Sequence, residues 1–349
     1  MNRELQPLVS VVVPLYNCGE FLAECLESIL AQTYENWDCL IVDNCSTDNS
    51  AEIAQAFCLR DKRVRLHRNA QFLKAVPNFN NALRQITPQS KYCKIVFADD
   101  WLFPSCLKEM VNVAEQRASI GIVGAYALQG RVVAWAGLPY PSNYIPGREV
   151  VRQFFLEDIY AFGTATSLLY RSDLVRSNDP FYNESNLHSD TEACVALLRT
   201  CDFGFVNQVL AYTRMRPSSL TSFTAEMNTS LVGRIYELVK YGPEYLSPDE
   251  LRFCLENKTR LYYRYLARNL VRRRGKKFWK YHKEKLIGMG LGWNRLYLLK
   301  ALLIELFAAF ANLGDSLDWL LRRRKLRRED EFLKRYGEKV PPVSNHRNA

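Results

Sequence analysis

Ile95-Val96-Phe97-Ala98-Asp99-Asp100-Trp101 is an apolar run ending in two adjacent carboxylates, with Pro104 just beyond them. The spacing predicts a buried strand over 94–98 that delivers both acids to the carboxyl edge of a sheet. In open α/β sheets that edge is where ligands bind. Two neighbouring carboxylates repel, and a cation between them relieves the repulsion. A hard divalent metal carrying a phosphate-bearing ligand suits such a pair. One acid is enough to cap the helix expected over 104–115, so a cap leaves the second acid unexplained.

The same alternation of strand and helix extends to either side. Residues 9–13 form a continuous β-branched run stopped by Pro14, and Leu22, Leu26, Ile29 and Leu30 carry helical spacing through 21–30. A second buried run at 39–42 ends in Asp43, and Asn44-Cys45-Ser46-Thr47-Asp48 turns into a helix over 51–57. Strands are expected at 64–67, 120–123, 166–170 and 206–213, with helices at 78–86 and 190–198. Short apolar strands alternating with amphipathic helices predict an α/β fold with a mostly parallel sheet flanked by helices. Asp43 reads either as a turn former or as an acceptor of hydrogen bonds from a base or ribose.

The chain has 349 residues, 48% of them hydrophobic, enough for one large domain with an extension. Ten cysteines without a CxxC pair favour a reduced, cytoplasmic setting and no structural zinc. Residues 1–15 lack the pattern of a secretory signal, and no run of about 18 uncharged apolar residues predicts a membrane span. Gly242-Pro243 and Ser247-Pro248 break the pattern between the α/β part and a helical C-terminal part. Charge divides in the same way: residues 251–349 hold 25 Lys and Arg against 9 Asp and Glu, although the whole chain is only +10.

Taken together, these segments resemble the inverting family 2 glycosyltransferases. Ser10-Val11-Val12-Val13-Pro14-Leu15-Tyr16-Asn17 looks like their first strand, and Ser28-Ile29-Leu30-Ala31-Gln32-Thr33-Tyr34 like the end of their first helix. Ile41-Val42-Asp43-Asn44-Cys45-Ser46-Thr47-Asp48 resembles their second strand and turn, and Asp99-Asp100-Trp101 their metal motif. Further on, Ser189-Asp190-Thr191-Glu192 resembles the acceptor-side motif. Tyr212-Thr213-Arg214 with Ser218-Ser219 resembles the segment that closes over a diphosphate.

The resemblance implies a GT-A fold over 1–222, a nucleotide-diphosphate sugar donor (a UDP-sugar favoured), Mg2+ or Mn2+, and inversion at the anomeric carbon. Carried over by position, Pro14 and Tyr16 flank the nucleobase and Asp43 contacts it. Asp99 lies near ribose and sugar, Asp100 ligates the metal, and Asp190 is the base, with Glu192 as the fallback. Arg214 and Arg216 would stabilise the leaving diphosphate, and Lys74 would either touch phosphate or stand exposed. Three positions depart from the family pattern: Phe97 where another acid is common, Lys74 where Gly is usual, and Arg216 where His often stands. A nucleotidyltransferase would show a Gly-rich basic loop after the first strand, whereas Asn17-Cys18-Gly19-Glu20 offers one Gly and an acid. A non-catalytic sugar-nucleotide binder or scaffold is the other reading, and the four acids Asp43, Asp99, Asp100 and Asp190 argue against it.

Residues 223–349 carry no family motif. Leu299, Leu302, Leu303, Leu306, Phe307, Phe310 and Leu313 mark one face of a helix, with basic clusters at 272–277 and 322–328. Two readings stay open: helices packed on the catalytic domain or on a second subunit, or an interfacial region held to anionic lipid at the cytoplasmic face of a membrane. The expected acceptor is a glycan or lipid-linked molecule of polysaccharide biosynthesis. No nucleic-acid recognition motif is present.

Overall fold

Val9–Leu15 (β1) is buried at every position, as expected of a central strand covered on both faces. The computed structural model describes residues 6–134, 137–157, 160–215 and 227–311, and the side chains among them as far as residue 308. In chain order the next elements are Gly19–Leu30 (α1), Trp37–Asp43 (β2), Ser50–Arg60 (α2), Val64–Arg68 (β3), Ala75–Leu83 (α3), Tyr92–Ile95 (β4), Trp101–Leu102 (β5) and Cys106–Ala114 (α4). Ile120–Gln129 (β6), Val132–Ala134 (β7), Tyr144–Ile145 (β8), Gly147–Leu156 (α5), Leu168–Arg171 (β9), Ser172–Arg176 (α6), Ser189–Leu197 (α7) and Asp202–Thr213 (β10) follow. Thr229–Tyr245 (α8), Pro248–Val271 (α9), Lys276–Gly288 (α10) and Arg295–Ala311 (α11) come last.

The sheet order is β3-β2-β1-β4-β9-β6-β10-β5, with β7 beside β6 and β8 beside β10. β3, β2, β1 and β4 are parallel, as are β6 and β10, whereas β9 runs antiparallel between β4 and β6. The period of two along each strand sorts side chains to opposite faces. Val9, Val11, Val13, Cys39 and Ile41 pack with Leu22, Leu26 and Leu107 on one side. Val12, Leu40, Val42 and Ile95 pack with Leu83, Phe154 and Leu238 on the other. Burying each such aliphatic side chain contributes roughly 1.5–3 kcal/mol before conformational entropy is counted.

Two local departures from the sequence expectation shape the site. The strand expected over 94–98 ends at Ile95, although the Val96 N–H still donates to the Val12 carbonyl at 2.9 Å. A turn then closes from the Asp100 N–H to the Phe97 carbonyl, so the two acids sit in a bend rather than on the strand. The helix expected over 78–86 runs Ala75–Leu83 instead, because Pro77 is tolerated in a first helical turn.

The first compact unit runs to Lys258, past the boundary read at 222, and α8 packs within it through Val232, Ile235 and Leu238. The second unit begins at Thr259. In it the Tyr262 hydroxyl meets His282 Nδ1 at 2.5 Å, Tyr263 packs edge-on to Tyr297, and Arg264 and Arg268 both bind Glu305. All ten cysteines are free thiols, and among the described residues no helix is long and apolar enough to cross a membrane.

Candidate active site

The carboxyl ends of β2, β1 and β4 lie side by side, with Leu15 opposite Asp43 in register. Asp43 is fully buried. Its Oδ1 accepts from the Ser46 N–H at 3.1 Å, and its Oδ2 lies 3.4 Å from Arg68 Nε. That charge contact is not aligned as a hydrogen bond, so Oδ2 has no donor in the structure. A buried acceptor without a donor costs about 1–3 kcal/mol, which a ligand N–H would recover.

Beside it, Tyr16 is 46% exposed and stands against Phe72 with ring centroids 4.9 Å apart. Pro14 lies within β1, opposite Val42. The turn after β2 is held to α1 and α2 by Asp48. Its Oδ2 accepts from the Gly19 N–H at 3.0 Å and its Oδ1 from the Ser50 N–H at 3.1 Å. A Cβ on Gly19 would stand 1.9 Å from Asn49 Oδ1, so a larger residue there would displace the exposed Asn49 side chain.

Asn44 is a site residue that sequence reading missed as such. Buried, it donates from Nδ2 to the Leu73 carbonyl at 2.7 Å, and its Oδ1 accepts from the Leu73 N–H and from Asn69 Nδ2, each at 2.9 Å. It thereby fixes the loop that carries Phe72 and the exposed Lys74. The unusual density of Asn at 69, 78, 80 and 81 was the available signal.

At the end of β4, Asp100 is almost fully buried and Asp99 is partly exposed. The Thr166 hydroxyl donates to Asp100 Oδ2 at 2.6 Å, and the Arg214 backbone N–H donates to Oδ1 at 2.9 Å. Burial, with the Asp99 charge adding to it, pushes the Asp100 carboxyl up to about 7. Arg214 also donates from Nε to the Asp99 carbonyl at 3.1 Å, pairs with Glu24, and lies over the Phe21 ring at 4.5 Å. Behind the pair, the wholly buried Lys94 donates to the carbonyls of Thr166 (2.7 Å) and Leu168 (3.1 Å), and burial pushes its pKa down.

Among the described residues no group of three or more His, Cys, Asp or Glu forms a cage for a metal ion. The hard oxygen pair nonetheless fits a divalent cation, since Mg2+ is ordinarily bound by one or two carboxylates together with substrate phosphates.

Asp190 opens α7. Burial raises its carboxyl pKa, offset in part by the Thr191 N–H, which it accepts at 2.8 Å, and by His188. His188 is held at Nε2 by the Thr229 hydroxyl (2.9 Å), and burial lowers its pKa. A Cβ on Gly233 would come within 2.7 Å of that ring. Thr191 meets the Tyr160 hydroxyl at 2.8 Å. The segment from Tyr160 to Thr166 therefore touches the Asp190 turn at one end and Asp100 at the other.

Glu192 is placed differently. Its buried carboxylate accepts from Asn183, Asn186, Tyr236, Lys240 and Tyr241. Burial works to raise its pKa, but the Lys240 and Asn186 donors hold it below the ordinary range. It anchors α8 and the loop before α7, and its lone pairs are taken. Asn80 adds a long-range clamp, accepting from the Tyr182 N–H and donating to its carbonyl, both at 2.8 Å. Arg216, Ser218 and Ser219 lie outside the described residues.

Residues 10–177 match the family model described as Glycosyl transferase family 2. The glycosyltransferase GlyG of Streptococcus pneumoniae serotype 4 is 35% identical over 122 residues, 35% of this chain and 40% of that protein. The chain covers 33–42% of the length of the first three curated relatives. Residues 1–349 of S. aureus TarS, crystallised with UDP-GlcNAc, superpose with a TM-score of 0.54 at 17% identity, covering 72% of this chain and 71% of that one. The mannosyltransferase PcManGT of Pyrobaculum calidifontis, in complex with GDP-Man and Mn2+, gives 0.50 at 13% identity over 88% and 89%. The fold is GT-A.

Proposed function

With residues 10–177 belonging to glycosyl transferase family 2, we propose that this chain is an inverting, divalent-cation-dependent glycosyltransferase using a UDP-sugar donor. One observation carries the reading: a single sheet edge collects the donor-less Asp43 Oδ2 and the Asp99–Asp100 pair. A carboxylate at Asp43 selects a base that presents an N–H, as uracil and guanine do. The UDP-GlcNAc bound by TarS supports the uracil choice. Tyr16 and Phe72 then face the base, Pro14 backs it, and Asp99 lies toward ribose and sugar. Lys74, Arg214 and Arg216 supply positive charge toward the diphosphate.

Asp100, with Asp99 beside it, would hold the cation, and the Mn2+ in PcManGT supports a divalent ion. Bound there, such an ion would supply Lewis-acid stabilisation of the leaving diphosphate. Asp190 takes the proton of the acceptor hydroxyl as that oxygen bonds to the anomeric carbon. The bond from that carbon to the diphosphate breaks on the opposite face, and the configuration inverts. The raised Asp190 pKa makes it a stronger acceptor than an ordinary carboxylate. This chemistry is assigned to 1–222. α8 completes that unit, and the basic helical residues beyond it are assigned to holding the enzyme at the cytoplasmic face of a membrane, where a glycan or lipid-linked acceptor is elongated.

The test is nucleoside diphosphate release from a panel of UDP- and GDP-sugars by the purified chain, with and without Mg2+ or Mn2+. Asp100→Ala should lower cation-dependent release by about a hundredfold or more. Full cation-dependent turnover by that variant would remove the metal assignment, and pyrophosphate release would make the chain a nucleotidyltransferase.

A further inference from the structure

Helix α11 is apolar on nearly every side, yet it buries only one of them. Its packed side holds Ala301, Tyr297 against Tyr263, and Glu305 between Arg264 and Arg268. The opposite side presents Leu296, Leu299, Leu303, Ile304, Leu306 and Phe307, each between 42% and 79% exposed. At 3.6 residues per turn these six span an arc of about 160°, interrupted only by Lys300. A contiguous exposed apolar surface of that kind marks a docking site.

The charge around it decides the occupant. Between residues 259 and 311 there are 13 Lys and Arg against two acids, Glu284 and Glu305. Glu305 is taken by two arginines and Glu284 lies 3.8 Å from Lys280. A second copy of this chain would bring an equally basic surface against this one and be repelled. A nucleic acid would satisfy the charge but offers no apolar phase for six large side chains. An anionic bilayer supplies both an acyl region for the apolar side and negative headgroups for the basic flank. No helix among the described residues is long and apolar enough to span a membrane.

We infer that α11 docks edge-on into anionic lipid through Leu296, Leu299, Leu303, Ile304, Leu306 and Phe307, with the basic residues of α10 and of the segment before it meeting the headgroups. This rests on and deepens the membrane role proposed above for the C-terminal residues, and it does not depend on the donor chemistry. Burying one such side chain in lipid is worth about a tenfold change in partitioning.

The experiment is flotation of the full chain with vesicles of phosphatidylcholine alone or with 30% phosphatidylglycerol. The chain should float with the anionic vesicles and far less with the neutral ones, and 0.5 M NaCl should weaken the binding. Leu303→Glu and Phe307→Glu should each lower bound protein about tenfold. Both positions are exposed, so thermal melting and nucleoside diphosphate release from a soluble donor should stay at wild-type values. Undiminished flotation of the double variant overturns the inference, as does equal binding to neutral vesicles. A chain that ignores vesicles but dimerises, or binds RNA, through the same two positions also overturns it. Loss of diphosphate release with flotation intact would instead count against the donor reading.

Discussion

Asp190 and Glu192 stand two residues apart at the start of α7, and replacing each by its amide separates a proton acceptor from an anchor. In Glu192→Gln the side chain keeps one acceptor oxygen and gains an NH2 that faces the donating amides of Asn183 and Asn186. Lys240 is 44% exposed and can return to water, so its ion pair adds little by itself. The larger cost is the loss of buried hydrogen bonds to a charged acceptor. About 2–4 kcal/mol is expected in all. For a unit of this size each kcal/mol lowers Tm by about 2–4 °C, which puts the fall between about 4 and 16 °C.

Asp190→Asn keeps the oxygen that accepts from the Thr191 N–H and removes a charge that burial already disfavours. Its Tm should match wild type within about 2 °C, while transfer falls by about 10²–10⁴ and donor binding persists. The pH dependence carries a second signature. A depressed carboxylate stabilises the fold above its unfolded pKa, and that stabilisation is lost as pH falls through the folded value. The gap in Tm between wild type and Glu192→Gln should therefore close below about pH 4. Scanning calorimetry across pH, alongside a transfer assay at pH 7.5, reads both. A Glu192→Gln protein that melts like wild type but is inactive would make Glu192 a participant in the chemistry, and an active Asp190→Asn would move the base elsewhere.

Asn44→Ala should free the loop that carries Phe72 and Lys74, raising KM for the donor several-fold with kcat little changed. The loss of its hydrogen bonds costs about 1–3 kcal/mol of stability, and a kcat collapse at unchanged KM would contradict a positioning role. Glu237 is buried with Oε2 lacking a donor, and burial pushes its carboxyl up to about 8. The folded state thus holds a proton that the unfolded chain has released, so stability declines as pH rises from about 4.5 toward 8. Glu237→Gln should flatten that decline, and parallel Tm curves from pH 5 to 9 would refute it.

The strands and the acids they carry were legible because burial and alternation leave periodic marks. The runs ending at Pro14 and Asp43 could be read directly, whereas the strand read over 94–98 stops at Ile95 and a bend carries the acids beyond it. The bonds that hold those acids in place were not legible. Thr166 reaches Asp100 across 66 residues, and Asn80 reaches Tyr182 across 102. A single hydroxyl or amide has no period, and only the folded sheet brings β9 beside β4. Phe97, the departure from the family's acid, packs on Phe79 at 5.0 Å, which turns that position into core and leaves Asp99 and Asp100 as the acids at that bend.

The helix at 295–311 marks the limit of periodicity from the opposite direction. Its apolar positions were read as one face that included Leu302, whereas Leu302 is partly buried toward the packed side, Leu296 and Ile304 stand on the exposed one, and Leu313 lies outside the described residues. In a helix that is apolar all round, spacing cannot say which side the fold will cover. Here Tyr263 and the two arginines that hold Glu305 select the packed side from outside the helix, and what they leave uncovered is the surface offered to lipid.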